Sequence, residues 1–109
     1  SQKNFQNITV NSLTTTATSQ VPLDIFDIDR FRSARYQIQV TSGSSHHTVE
    51  FIVVHDGTTT YNTEYAIIRT NGILATFDSD ISNGNVRLLV TPSSNSSTTF
   101  KTVRTSINT

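Results

Sequence analysis

The chain predicts an all-β fold, an antiparallel β-sandwich of jelly-roll-like layout with eight or nine short strands. Three observations carry this. Apolar residues recur at every second position through several runs. Asp-Gly and Asn-Gly pairs punctuate those runs. No stretch shows the 3.6-residue apolar repeat of an amphipathic helix.

The first third reads less clearly than the rest: Ile8-Thr9-Val10 and Leu13 to Thr18 look like short strands, and Val21 to Ile28 like one strand with a bulge near Asp27. From Ala34 to Val40 the pattern is plain. Ala34, Tyr36, Ile38 and Val40 share one face, and Arg35, Gln37 and Gln39 the other. A Gly/Ser break at Thr41 to Ser45 precedes His47 to His55, where Val49, Phe51 and Val53 face one way and Ile52 and Val54 the other, the mark of a central strand. Asp56-Gly57 then predicts a type I′ hairpin into Tyr61 to Arg69, because both central residues of that turn need positive φ. Asn71-Gly72 repeats the signal before Ile73, Ala75 and Phe77, and Asn83-Gly84 before Val86, Leu88 and Val90. Beyond Pro92 a Ser/Asn loop leads to a last strand, Thr98 to Ile107. The predicted core is Ala34, Tyr36, Ile38, Val40, Val49, Phe51, Val53, Phe77, Val86, Leu88 and Val90.

With 109 residues there is room for one core. Residues 21–109 are expected to form the sandwich and residues 1–20 an N-terminal arm or the first short strands. Apolar residues make up 34% and charged residues 15%, so uncharged Ser, Thr, Asn and Gln dominate the surface. Thr suits a pleated sheet, and Ser and Asn suit its turns. Eight basic residues balance eight acidic ones, which leaves no long-range field to attract nucleic acid or an anionic membrane. The absence of Cys excludes disulfides, thiolate nucleophiles and Cys-held metals. No apolar run approaches the ~20 residues of a spanning helix, and Ser1-Gln2-Lys3 lacks a signal-peptide pattern. The lack of any Met is expected of a processed chain or a piece of a longer one.

Several groupings invite chemistry, and each has a simpler explanation. His46, His47, His55 and Asp56 could converge across a hairpin on a metal, yet His46 and His47 flank a polar turn and Asp56 belongs to its own turn. Counting from Asp78, a calcium loop needs Gly sixth and a bidentate Glu twelfth; Asn83 and Leu89 stand there. Asp24, Asp27 and Asp29 beside Arg30 and Arg32 could resemble paired glycosidase carboxylates, but lie on one short segment and read as surface ion pairs at a strand end. No Gly-x-Ser-x-Gly elbow occurs, and the sequons at Asn7 and Asn95 are expected by chance in so Asn- and Ser-rich a chain. A sugar-binding role would rest on Tyr61 or Tyr65. No catalytic, cofactor or metal residue is therefore assigned.

The segment FRSARYQIQV from Phe31 to Val40 resembles the "YRSAKYLVQV" strand of a β-sandwich domain repeated in structural proteins of tailed phages that infect marine cyanobacteria. Three later segments agree with it in order and spacing. They are Val54 to Thr59 with Thr63-Glu64-Tyr65, then Ala75 to Pro92, then Ser97 to Thr105. The likeness runs from about Arg30 to the C-terminus and leaves the first 20 residues unmatched.

This resemblance implies a virion component, in a tail, fibre, appendage or on the capsid surface, that acts in particle assembly or host attachment without catalysis. Expected partners are other copies of itself, other virion proteins and, in the alternative of a fibre-tip module, a host receptor or glycan; neither nucleic acid nor membrane insertion is expected. The chain is shorter than the multidomain relatives, which leaves a capsid decoration or a tail subunit equally open. Neutral charge and few edge Lys or Pro point to an oligomer, a trimer if it lies in a fibre.

Overall fold

The computed structural model describes residues 5–109. Ser1 to Asn4, part of the expected N-terminal segment, lie outside the described residues. Eight strands follow in order: β1 (Gln6–Thr15), β2 (Val21–Asp27), β3 (Phe31–Ser42), β4 (Ser45–His55), β5 (Thr60–Arg69), β6 (Ala75–Ser82), β7 (Asn85–Pro92) and β8 (Thr98–Asn108). They form two antiparallel sheets, β1-β8-β3-β4-β5 and β2-β7-β6, packed face to face as the alternation predicts. The β1-β8-β3 and β2-β7 neighbours follow jelly-roll winding. The layout departs from it after β3, because β4 and β5 stay in the first sheet by successive hairpins.

Turn chemistry explains the connections. Asn83 (φ 51°) and Gly84 (φ 78°) both take positive φ between Ser82 and Asn85, the expected type I′ turn. Gly43 (φ 59°) alone does so between the paired Ser42 and Ser45, which makes that turn type II′ and carries both strands to its edge. Two expected hairpin turns differ. Asp56-Gly57 opens a four-residue loop closed by the pair His55 and Thr60, and the Asp56 carboxylate accepts N–H bonds from Thr58 (3.0 Å) and Thr59 (2.8 Å). Those two amides, with the Thr58 hydroxyl, hold the Asp56 carboxyl down at about 2. Asn71-Gly72 carries the chain from β5 in one sheet to β6 in the other, so no hairpin forms there.

The first third is more regular than expected. The two short strands placed between Ile8 and Thr18 are one, β1, paired with β8 over ten consecutive residues. The irregularity of β2 lies between Pro22 and Asp24 instead of near Asp27, because Pro22 has no N–H to continue the ladder. In β5 the register with β4 slips between Tyr65 and Ile68, and Ala66 sits there at φ 53° as the extra residue of a bulge.

Every predicted core residue is buried except Phe77, which is half-buried and packs edge-on against Phe100 with ring centroids 6.5 Å apart. Leu23, Phe26, Phe31, Ala75 and Phe100 complete the core. Phe26 and Phe31 meet at 76° across the turn between β2 and β3.

Candidate interaction surface

Between the sheets, at the β1–β2 end, lies a buried polar network. Asp24 of β2 points inward and accepts from Arg104 of β8 (2.7 Å) and from the Tyr36 hydroxyl of β3 (2.8 Å), so one carboxylate oxygen ties the three-stranded sheet to two strands of the other. Both side chains of the ion pair are under a tenth exposed. Arg104 also donates to the Ile25 carbonyl (2.9 Å) and lies within 6 Å of the Phe26 and Phe31 ring centroids. Burial, and then the Asp24 charge, push the Tyr36 hydroxyl far above its ordinary pKa, so it stays protonated as a donor. This corrects the expectation of a surface ion pair for Asp24. Of its supposed neighbours, Asp27 accepts from the Asp29 amide (2.8 Å) within the turn, Arg30 lies over Phe31, and Arg32 donates to the His55 carbonyl (3.1 Å).

The histidines do not converge. His47 and His55 share the inward face of β4, but eight residues of strand separate them by roughly 26 Å. His55 is fixed by its neighbours: Nδ1 accepts from the Gly57 amide (3.0 Å), so Nε2 carries the proton and donates to the Phe31 carbonyl (2.7 Å). Asp80 is taken by Arg87, its cross-strand partner, through bonds of 2.8 and 2.6 Å, which lower the carboxyl pKa and raise that of the guanidinium. Asp78 accepts from the Ser79 amide.

His47 carries a pH dependence. It is 1% exposed, packs edge-on against Phe77, and its Nε2 has no hydrogen-bond partner among the described residues. Burial, and then the Arg69 charge, lower its pKa below the ordinary 6.5. Above 6.5 it is neutral folded or unfolded and has no effect on the balance. As pH falls below 6.5 the unfolded chain takes up a proton that the folded chain refuses, so stability drops until the folded value is passed. Urea unfolding midpoints measured from pH 8 to 5 should fall for the wild type, and the His47→Leu variant should lose the part of the fall that begins as pH drops through 6.5.

The feature left without an internal explanation is the outward face of the five-stranded sheet. Cross-strand register places Ile8, Val10, Val103 and Ile107 together on β1 and β8, and Ile52, Val54, Tyr61 and Ile68 on β4 and β5. All are exposed, Val10 by 73% and Ile68 by 70%. Between them β3 presents Arg35, Gln37 and Gln39, with Arg35 bridged to Glu50 (3.4 Å). An open groove of about 700 Å³ runs over this face, lined in part by Val10, Ser12, Gln37, Gln39, Lys101 and Val103. Five strands about 4.8 Å apart and ten residues long give a face of roughly 800 Å². That is about one partner's share of a standard protein interface, and its apolar side chains fall in two groups separated by the polar row of β3. The two-sided apolar pattern of β4 was legible; that its second face is open was not, since periodicity does not say which face is covered.

Fold and surface together define the class: an all-β sandwich whose large sheet offers an outer face with two exposed apolar groups on either side of a polar row. No protein-family model matches the chain, and no curated protein matches it. Among solved structures it is similar in fold to the tailspike protein of Acinetobacter baumannii phage AM24, at 9% identity and a TM-score of 0.53, over 95% of this chain and 27% of that one. It is likewise similar to the tailspike protein of Acinetobacter phage vB_ApiP_P1, at 18% identity and a TM-score of 0.53, over 99% of this chain and 22% of that one. The chain thus spans about a quarter of each solved chain.

Proposed function

We propose that this domain is a noncatalytic structural module of a phage tail, fibre or related appendage, which joins copies of itself and other virion proteins and so serves assembly or host attachment. The observation that carries the reading is that nearly the whole chain superposes on about a quarter of two phage tailspike proteins. A module of that size, with exposed apolar groups at both sides of its larger sheet face, suits a place inside a larger assembly. The resemblance of Phe31 to Val40 and its companion segments to phage structural proteins supports the same reading from the sequence side. Its marine cyanobacterial host is a finer expectation that rests on that resemblance alone. The carboxylates weighed as glycosidase candidates support a noncatalytic role, since Asp24 is consumed by Arg104 and Asp27 by its own turn.

A second reading, a host-glycan module, draws on the open groove with its Gln37, Gln39 and Lys101 side chains and on Tyr61, which is 57% exposed on the same face. Antibodies raised against the domain separate the alternatives from an unrelated role. They should label the tail end of purified particles in electron micrographs. Labelling confined to unassembled protein in the lysate would contradict the proposal. Soluble host polysaccharide that protects the Lys101 amine from acylation would favour the glycan reading.

A further inference from the structure

Among the described residues the two sheets have four edge strands, and three of them are guarded. In β2, Pro22 lacks an N–H, the ladder breaks beside it, and the Leu23 carbonyl is taken by the Asn11 side chain at 2.6 Å. In β5 the bulge at Ala66 twists the strand out of register. In β6 the side chains of β5 reach across: Thr60 donates to the Ser79 carbonyl (3.2 Å) and Asn62 to the Ser79 hydroxyl (2.6 Å). Each is a recognised way to stop a sheet from recruiting another strand.

β1 has neither Pro nor bulge, and the side-chain cap on its outward edge is that of Asn11 on the Ser12 amide (2.8 Å). From Gln6 to Thr15 it carries no charge, and its ladder with β8 is unbroken over ten residues. Its open side can be read from two bonds. The Ser12 amide is taken by the Asn11 side chain at 2.8 Å, so it points away from β8, whereas the Asn11 carbonyl accepts from the Thr102 hydroxyl on β8. Backbone polarity alternates along a strand. Ile8 and Val10 therefore turn their N–H and C=O groups outward, beside a 63% and a 73% exposed side chain.

We propose that β1 pairs antiparallel with β1 of a second copy of this chain about a two-fold axis near Thr9, which joins two five-stranded sheets into one of ten strands. The strand is complementary to itself in this register. Ile8 meets Val10 of the other copy on the outer face, with both sets of outward backbone groups opposed, and Thr9 meets Thr9 on the inner face. β-branched pairs and Thr pairs are favourable cross-strand neighbours, and no like charges are brought opposite one another. An isologous contact of this kind closes at two copies and leaves β5 and its apolar patch free for other partners. The pairing rests on edge chemistry and holds or fails independently of the tail reading.

Sedimentation of the whole chain over a range of concentrations tests it, with circular dichroism and thermal unfolding at low concentration as checks of folding. The wild type should reach a dimer. Val10→Lys, which adds a guarding charge at an exposed site, and Val10→Pro, which deletes an outward N–H that β8 does not use, should each weaken dimerisation at least tenfold with the fold intact. Ile68→Lys, on the far edge strand, should dimerise like the wild type. A wild type that stays monomeric at high concentration, folded Val10 variants that dimerise as well as the wild type, or an Ile68→Lys variant as impaired as Val10→Lys would each overturn the proposal.

Discussion

Replacing Arg104 by Ala should destabilise the domain by about 3–5 kcal/mol, because the Asp24 charge would be left buried without its cation, with only neutral donors, the Tyr36 hydroxyl (2.8 Å) and a long contact from the Asn11 amide (3.5 Å), to solvate it. The effect comes less from lost attraction than from a carboxylate stranded between two sheets. A triple variant shows the difference: Asp24→Leu with Arg104→Met and Tyr36→Phe removes both charges and the hydroxyl that Asp24 accepts from, fills the space, and should recover most of the loss, since an apolar cluster of similar volume commonly matches a buried ion pair. Urea unfolding of the single and triple variants at pH 7 measures this. A single variant within about 1 kcal/mol of the wild type would show that water reaches the pair and that the network contributes little.

Phe51→Ala should cost about 3–5 kcal/mol as well. Phe51 is fully buried in the middle of β4, which lies between β3 and β5, and it faces the three-stranded sheet. Truncation would leave a cavity lined by strands whose ladders restrain them from closing in. By contrast Ile52→Ala, one residue away on the open face and 37% exposed, should change stability far less in the isolated domain. If both variants lost the same amount, the inner and outer faces would have been assigned wrongly.

How much of this was legible depended on the range of the interaction. Alternation along β3, β4 and β7 marks the core, because side-chain direction in a strand is set by the residue's own position in the pleat. Asn83-Gly84 identifies its hairpin for the same reason: both residues tolerate positive φ, and the requirement is met within four residues. Asn71-Gly72 has the same local chemistry yet joins different sheets, since a dipeptide carries no information about where the next strand pairs. The bulge at Ala66 is hidden because Ala has no preference for positive φ; the surrounding ladder imposes it. The partner of Asp24 lies eighty residues away in the sequence, and two nearer arginines, Arg30 and Arg32, offered themselves first. The apolar residues of the outer face were visible one by one, but that Ile8 and Val10 sit beside Val103 and Ile107 follows only from the β1–β8 pairing.

The chain's proposed place in a particle is tested most directly by cryo-electron microscopy of intact virions of the phage that encodes it, at a resolution that traces strands. The account predicts density for this eight-stranded sandwich in the tail or an appendage, with the outer face of the five-stranded sheet covered by neighbouring protein. Particles that lack the chain, or a sandwich whose outer sheet face is bare to solvent on every copy, would contradict it.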